Sequence, residues 1–264
     1  MVVGSLRGTL MKLKDKVAVI TGGNSGIGLA AAKEFIANGA KVAIFGRNPV
    51  TLRHATDALG DGAIAVQGDV RKVADLDRLF AETHERFGQI DVLVANAGIA
   101  KFAPVQTLSE ELFDELNGIL FRGVFFTVQR ALPHLRDGAS VVLIGASDAD
   151  KQGRMLTSIY IAAKSAVRSL ARSFSVELLP RRIRVNVVSP GMTDTPIITR
   201  EGGLPGVTPE EIAAVITQTI PLKRRGTPEE VAKAVLFMAS SDSSYCLGAE
   251  LMVEGGLSQL VNPA

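Results

Sequence analysis

The sequence predicts a doubly wound α/β fold in which helices cover both faces of a parallel sheet. Short β-branched runs alternate with longer helical patterns along most of the 264 residues. The short runs are almost continuously apolar, as strands are when both faces of a parallel sheet are buried. No internal repeat, low-complexity segment or linker divides the chain, so we expect one domain of three layers, α/β/α.

Six segments have the composition of buried strands, and three windows between them have a helical pattern. The strand segments are KVAVIT (16–21), KVAIFG (41–46), AIAVQG (63–68), DVLVANAG (91–98), SVVLIGAS (140–147) and IRVNVVSPG (183–191). The helical windows are 26–40, 73–88 and 157–179. In such folds ligands bind beyond the carboxyl ends of the strands, so functional residues are expected there.

Composition and charge exclude several function classes. A formal net charge of +2 with no basic stripe argues against a nucleic-acid partner, and no apolar run is long enough for a membrane span. The single cysteine, Cys246, is compatible with a reducing compartment. We therefore predict a cytoplasmic protein with no membrane or nucleic-acid partner.

The chain divides into a short extension and one long domain. We predict an N-terminal extension over residues 1–10 and the α/β domain over 11–264. Within it, prolines and glycines interrupt the pattern at 193–220, which predicts a lid over a substrate pocket, with an amphipathic helix from about Pro209. A structural flap is the alternative.

A glycine-rich turn follows the first strand segment. In TGGNSGIG (21–28) glycines stand at the bend before a helix, where the backbone can approach a phosphate closely and the helix N-terminus attracts it. This predicts a dinucleotide site. Its expected cofactor-binding residues are Gly22, Asn24, Ser25, Gly26, Ile27 and Gly28.

The end of the second strand indicates which dinucleotide is bound. NAD enzymes carry a carboxylate about 20 residues beyond the glycine turn for the ribose hydroxyls, whereas this chain has Gly46 and then Arg47. A guanidinium can pair with a 2′-phosphate, and no acidic group follows to repel that phosphate. The sequence therefore favours NADP(H) over NAD; an exposed loop arginine is the alternative.

The ordered set of markers resembles the short-chain dehydrogenase/reductase family from Lys12 to the C-terminus. The markers are TGGNSGIG, GDV, NAG (96–98), Ser147, YIAAK (160–164), SPGMTDT and LGAELMVEGG. The resemblance implies a Rossmann-like fold and a homotetramer or homodimer. It also implies further cofactor-binding residues, namely Asp69, Val70, Asn96, Ala97, Gly98, Tyr160, Lys164, Pro190, Gly191, Thr193 and Thr195.

Tyr160 and Lys164 form the centre of the predicted active site. Residues four apart share one face of a helix. A lysine charge near a phenol favours the ionised form and so lowers the pKa of the phenol, which is ordinarily about 10. Tyr160 is thus the expected general acid or base, and the resemblance adds that Lys164 binds the nicotinamide ribose. It also implies that Ser147, 13 residues before the tyrosine, binds the substrate oxygen.

One position departs from the family pattern. The family commonly has an asparagine in N-x-x-G-V-F-F, where it helps to hold a water that connects the lysine to solvent, but this chain reads LFRGVFF with Leu120 there. We expect a weakened or rerouted proton relay, with Asn117, one turn earlier, as a possible substitute. The usual aspartate before the last glycine pair is Glu254, which we expect to affect subunit packing.

The resulting prediction is an NADP(H)-dependent oxidoreductase that transfers hydride between nicotinamide and a ketone, an aldehyde or a secondary alcohol. The expected substrate pocket is lined by Ala100, Phe102, residues 148–156 and residues 196–220. Two alternatives remain open: a specialised enzyme such as a 3-oxoacyl-[acyl-carrier-protein] reductase, an epimerase or a dehydratase-like variant, and a non-catalytic NADP-binding sensor or scaffold. No cluster of metal-ligand spacing occurs, and none is needed.

Overall fold

A parallel sheet of seven strands runs through the part of the chain that the computed structural model describes, which is residues 11–147, 156–197, 211, 214 and 217–260. The strands are β1 (Val17–Thr21), β2 (Lys41–Gly46), β3 (Ala63–Gln67), β4 (Ile90–Ala95), β5 (Leu135–Ile144), β6 (Arg184–Pro190) and β7 (Glu250–Val253). Their order is β3-β2-β1-β4-β5-β6-β7, with every pair parallel. The strand order reverses between β1 and β4, where such sheets bind ligands.

Helices connect these strands. They are α1 (Gly26–Ala37), α2 (Pro49–Leu59), α3 (Val73–Phe87), α4 (Glu110–Asn117), α5 (Gly123–Ala131), α6 (Ser158–Glu177) and α7 (Pro228–Ala239). A π-helical turn, Gly118–Arg122, joins α4 to α5 without a loop. Residues 217–219 are also helical.

Local sequence explains where two of the helices begin. The side chain of Asn48 accepts hydrogen bonds from the backbone N–H groups of Val50 and Thr51, and Pro49 occupies the first position of α2. Thr227 and Glu230 form a reciprocal capping box at the start of α7. Such caps satisfy backbone donors that a helix start leaves unpaired. The start of α2 is therefore fixed directly beyond the end of β2.

Two apolar cores lie on opposite faces of the sheet. Alternate residues of each strand point to opposite faces, so Val19 and Phe45 enter one core while Ile20 and Ile44 enter the other. The first core includes residues of α3, α5 and α6, and the second includes residues of α1, α2 and α7. Helices thus cover both faces, and the predicted three-layer α/β/α fold is confirmed.

The strand predictions were wrong at two places. The strand β7 was not predicted, because its four residues are only partly buried. They also stand just before a pair of glycines that begins at Gly255. Strand β5 begins earlier than expected and ends at Ile144, so Ser147 lies three residues beyond it. The N–H of Ser147 still donates to the carbonyl oxygen of Pro190 at 3.0 Å, which keeps it at the sheet edge.

A histidine cluster lies at the amino end of β5, away from the predicted site. The rings of His84 and His134 are 5.5 Å apart, and His134 also stacks on Phe80 at 6.2 Å. Burial lowers the pKa of His134, the neighbouring His84 and Arg130 lower it further, and the negative charge of Asp77 opposes them. The folded protein therefore binds a proton at His134 less readily than the unfolded chain does.

We predict an acid-sensitive contribution of His134 to stability. Because its folded pKa lies below the ordinary 6.5, this contribution is present above pH 6.5 and is lost as the pH falls through the folded pKa. In urea unfolding at pH 7.5 and pH 5.0, His134→Gln should lose less stability on acidification than the native protein. The exposed His54 provides the matched control, because His54→Gln should behave like the native protein; equal acid sensitivity of all three would contradict the prediction.

Candidate functional site

The turn between β1 and α1 has no room for side chains at two of its glycines. A Cβ on Gly22 would lie 2.9 Å from the Nδ2 of Asn96, and one on Gly28 would lie 2.3 Å from the carbonyl oxygen of Gly22. Gly22 also has a φ of 67°, which favours glycine. The backbone is thus bare where α1 begins, and the cradle fits a dinucleotide phosphate.

The segment after β6 lies against this turn. A Cβ on Gly26 would be 3.3 Å from the Cβ of Thr195, so the two predicted cofactor segments meet. Thr193 is buried, and its Oγ1 donates to the carbonyl oxygen of Gly191 at 3.1 Å. The backbone N–H of Asp194 donates to the carbonyl oxygen of Gly226, and the N–H of Gly226 donates to that of Met192, which holds the segment in place. The structure therefore brings residues 191–195 and the glycine turn to one edge of the sheet.

Asn96 joins the ends of β1 and β4. Its Nδ2 donates to the carbonyl oxygens of Thr21 and Gly22 at 3.0 and 3.2 Å. The backbone N–H groups of Asn96 and Ala97 both donate to the Oγ1 of Thr21, which is buried. Sequence reasoning missed Thr21, although a polar residue that ends an apolar strand is a signal for such a role. Gly98 follows, with the side chain of Leu120 nearby.

A compact ionic group lies beyond β2 and β3. Arg71 forms a forked hydrogen bond with Asp69, from Nη2 to Oδ2 at 2.6 Å and from Nε to Oδ1 at 3.2 Å. Burial raises the pKa of Asp69, but the hydrogen bonds and charge of Arg71, with the charge of Arg47, outweigh it and hold the pKa below its ordinary value. Arg47 itself is exposed. Sequence reasoning missed Arg71, for which Asp69 two residues earlier was the signal.

Val70, the neighbour of Asp69, is buried rather than open to a ligand. A Cβ on Gly123 would lie 3.0 Å from its Cγ2, so the Val70 side chain packs against the start of α5. Ile27, in the glycine turn, is partly buried and packs against the second core. Any cofactor contact of these two residues is therefore made chiefly through the backbone.

Lys164 is buried on α6 and is tied to the end of β5. Its Nζ donates to the carbonyl oxygen of Ile144 at 2.7 Å, and its side chain is 5% exposed. Burial lowers the pKa of Lys164 from 10.5 to about 8. A lysine in this position is charged at neutral pH but loses its proton more easily than a surface lysine.

Tyr160 and Ser147 lie at the same edge of the sheet. Tyr160 stands four residues before Lys164 on α6 and is partly buried, with its ring 5.9 Å from that of Phe102 in an edge-to-face arrangement. Ser147 follows Ile144 by three residues, and its Oγ is buried and has no hydrogen-bond partner among the residues that the structure describes. A buried hydroxyl without a partner has free capacity for a ligand.

The helix before β5 differs from the expected arrangement. Leu120 is fully buried in the first core, and it lies in the π-helical turn Gly118–Arg122. Asn117, partly exposed, ends α4. A π turn spreads over more residues than an α turn, so Asn117 is not one α-helical turn before Leu120 as the sequence suggested.

Part of the predicted pocket wall lies in the described chain. The N–H of Ala103 donates to the carbonyl oxygen of Leu156 at 3.1 Å, and Lys101 pairs with Glu115 at 2.9 Å. These contacts fix the segment that carries Phe102, which is 40% exposed. The remaining predicted walls, at 148–155 and over most of 198–216, and the extension 1–10 lie outside the described residues.

Two features are absent from the described residues. No group of three or more histidine, cysteine, aspartate or glutamate side chains is arranged to hold a metal ion within the described ranges. Among the described helices, none combines the length and apolar character that crossing a membrane requires.

Comparison with known proteins gives the family. A family model described as enoyl-(acyl carrier protein) reductase matches residues 22–258. A solved short-chain dehydrogenase/reductase from Brucella melitensis, described as a glucose/ribitol dehydrogenase, is similar with a TM-score of 0.87 and 31% identity, covering 94% of this chain and 99% of that one. The chain belongs to the short-chain dehydrogenase/reductase family. Members of this family are oxidoreductases that use a nicotinamide cofactor.

Relatives and a second structure agree with this assignment. Oxidoreductase asL5 of Sarocladium schorii is 43% identical over 253 residues, which are 95% of this chain and 99% of the relative. The hydroxynaphthalene reductase-like protein Arp2 of Metarhizium acridum is 33% identical over 92% of this chain and 95% of the relative. A mutant short-chain dehydrogenase/reductase of Serratia marcescens has a TM-score of 0.86 at 29% identity, with 94% and 99% of the chains covered.

We predict that Lys164 makes the free energy of unfolding rise with pH in the alkaline range. The folded protein holds the Lys164 proton less tightly than the unfolded chain, so its free energy of unfolding should rise from about pH 8 to pH 10.5 relative to Lys164→Met. Chemical unfolding of the cofactor-free protein across this range measures the difference. Lys33→Met, at an exposed position of α1, should retain the native slope. A native slope in Lys164→Met as well would contradict the prediction.

Proposed function

We propose that this chain is an NADP(H)-dependent oxidoreductase that moves hydride between nicotinamide and a ketone, an aldehyde or a secondary alcohol. The observation that carries the proposal is the buried Lys164, fixed to Ile144 at the sheet edge, one helical turn from Tyr160. Ser147, whose buried Oγ has no described hydrogen-bond partner, lies at the same edge. Three such groups together suit the polarisation and protonation of a carbonyl oxygen.

The residues at the sheet edge fit a dinucleotide. The bare turn at Gly22 and Gly28 would hold the phosphates, Arg47 a 2′-phosphate, and residues 190–195 the nicotinamide end. The nicotinamide, when bound, supplies the hydride to the carbonyl carbon or accepts it from the alcohol carbon. Asp69 and residues 96–98 would line the adenosine end, where the forked Arg71 pair holds the Asp69 carboxylate in one orientation.

Each polar side chain has a distinct role in the proposed reaction. Tyr160 gives its phenolic proton to the developing alkoxide in reduction and takes it back in oxidation. Lys164, charged at neutral pH and shielded from water, favours the ionised phenol more strongly than an exposed lysine would. Ser147 donates a hydrogen bond from its hydroxyl group to the substrate oxygen as negative charge develops there.

Arg47 provides the reason to prefer NADP(H). It is exposed directly beyond β2, where it can form bidentate hydrogen bonds with a phosphate. The carboxylate of Asp69, close enough for the charge of Arg47 to lower its pKa, is already paired with Arg71 and adds little repulsion. Carbonyl reduction is the direction we propose, in a cytoplasmic setting.

Phe102 supports an apolar substrate. Phe102 is 40% exposed and lies beside Tyr160. The ion pair of Lys101 and the backbone hydrogen bond of Ala103 hold the chain on either side of it. An exposed ring next to the acid suits a ketone with a ring or another apolar portion. The hydroxynaphthalene reductase-like relatives make aromatic ring compounds the first candidates. An acyl-carrier-protein substrate, suggested by the description of the family model, is the alternative.

A homotetramer or homodimer is the proposed assembly. Large apolar side chains are exposed on α4, at and just beyond the end of α6, and between α7 and β7, namely Phe113, Val176, Leu179, Tyr245 and Leu247. Several exposed apolar side chains of this kind are typical of surfaces that contact another subunit.

Loss of the Tyr160 proton donor should abolish most of the activity. Tyr160→Phe keeps the ring that contacts Phe102 and should reduce kcat by about 10²- to 10⁴-fold, the usual contribution of acid–base catalysis. The measurement is NADPH consumption with a panel of aryl and alkyl ketones. Cofactor binding that is retained in the variant would exclude a folding defect. Native turnover by Tyr160→Phe, or no turnover by the native protein with any ketone, would contradict the proposed function; the second result would favour a sensor or scaffold.

Arg47→Ala should weaken NADPH binding selectively. Loss of a charge-assisted pair costs about 1.5–3 kcal/mol, so the Kd for NADPH should rise by about 10- to 100-fold while that for NADH stays within about twofold. Arg53→Ala, an exposed arginine on α2, is the control. Equal effects of Arg47→Ala on both cofactors would show that Arg47 does not recognise the phosphate.

Leu120→Asn tests the altered proton relay. If the leucine blocks the usual water path to Lys164, the variant should show a faster turnover or a shifted pH profile. Leu120→Met keeps an apolar side chain of similar volume and should leave both unchanged. An unchanged rate and profile in Leu120→Asn would contradict a relay limited by Leu120.

A further inference from the structure

Gly46, the last residue of β2, is required by space rather than by backbone conformation. Its φ does not lie in the left-handed region, yet a Cβ added to it would be 2.5 Å from the Oδ1 of Asn24 and 3.0 Å from its Cγ. Real Cβ atoms essentially never approach another atom to this distance. Any side chain at position 46 therefore requires Asn24 to move.

A short hydrogen bond holds the side chain of Asn24, so it cannot move without a cost. Its Nδ2 donates to the Oγ1 of Thr51 at 2.7 Å, so the amide spans from the glycine turn to the first turn of α2. Thr51 is itself anchored, because its Oγ1 donates to the carbonyl oxygen of Asn48 and its N–H to the Oδ1 of Asn48, both at 3.2 Å. Since the Thr51 hydroxyl proton is used in this way, Thr51 accepts from the amide nitrogen, and the oxygen of Asn24 faces Gly46.

Position 46 is where a carboxylate would select NAD. Such a group accepts hydrogen bonds from the ribose hydroxyls and repels a 2′-phosphate. We infer that Asn24 is a specificity-determining positioning residue: its amide oxygen fills the space that the Cβ of any residue at position 46 would need, so no carboxylate stands there and the end of β2 stays open to a 2′-phosphate beside Arg47. The inference deepens the proposed function and rests on its NADP(H) preference.

This arrangement predicts that cofactor preference cannot be changed at position 46 alone. In Gly46→Asp the new side chain meets the fixed amide, so the variant should lose thermal stability and NADP⁺ affinity without gaining affinity for NAD⁺. In the double variant Asn24→Ala with Gly46→Asp, the space is free, so Tm should recover and NAD⁺ should bind about tenfold more tightly than to Gly46→Asp. Coupling of this kind is expected between residues in contact.

The experiment is isothermal titration of NADP⁺ and NAD⁺, with Tm by calorimetry, on the native protein, both single variants and the double variant. Asn48→Asp is the matched control, because it adds the same charge near Arg47 while its side-chain oxygen can still accept from the N–H groups of Val50 and Thr51, so the anchor of Thr51 is kept. It should weaken NADP⁺ binding equally with and without Asn24→Ala, with no coupling in Tm. Thr51→Val, which removes the acceptor for Asn24, gives a second route: it should partly rescue Gly46→Asp.

The outcomes separate this inference from the proposed function. Equal affinity of the native protein for NADP⁺ and NAD⁺ would contradict the proposed cofactor preference and, with it, the selectivity assigned to Asn24. A native preference for NADP⁺ combined with no rescue of Gly46→Asp by either Asn24→Ala or Thr51→Val would overturn this inference alone. NAD⁺ binding by Gly46→Asp as tight as by the double variant would overturn it as well.

Discussion

The hydrogen bond from the Nζ of Lys164 to the carbonyl oxygen of Ile144 is the contact on which the site depends. It places an ammonium group inside the protein and fixes α6 against the end of β5. Because α6 also carries Tyr160, and because Ser147 continues from β5, this single contact brings the proposed catalytic side chains to one edge. Burial disfavours the charged form of Lys164 and therefore lowers its pKa. The same burial excludes water around the ammonium group, so its charge acts more strongly on neighbouring groups.

The opposite end of the site depends on exclusion of side chains. Gly22, Gly28 and Gly46 each stand where an added Cβ would meet a polar atom of a neighbouring segment. Asn96 and Asn24 supply two of those atoms while they join separate segments by hydrogen bonds. Close packing at the strand ends therefore leaves the bare backbone that a dinucleotide needs. The order of the parallel strands places both ends of the site on one edge of the sheet.

Sequence alone predicted the architecture because buried parallel strands and their helices have strong apolar patterns. It missed β7, whose four residues are only partly buried, and it gave no sign of the π turn around Leu120, because helical periodicity does not resolve one extra residue in a turn. Candidate site residues with distinctive chemistry, such as Tyr160 and Lys164, were predicted from their spacing and the family resemblance. Thr21 was missed because its partners, Asn96 and Ala97, lie on a segment that only the fold brings close. Arg71 was missed because its spacing from Asp69 does not by itself show that the two side chains pair.

The most direct test of the proposed reaction is the fate of deuterium in NADPH that carries deuterium in place of both hydrogens at nicotinamide C4. With an aryl ketone, the native protein should transfer one deuterium to the carbinol carbon, as measured by mass spectrometry of the product. Lys164→Met, which keeps an unbranched apolar side chain but removes the charge, should transfer it at least about 100-fold more slowly. Transfer at the native rate by Lys164→Met, or an alcohol product without deuterium from the native protein, would contradict the account.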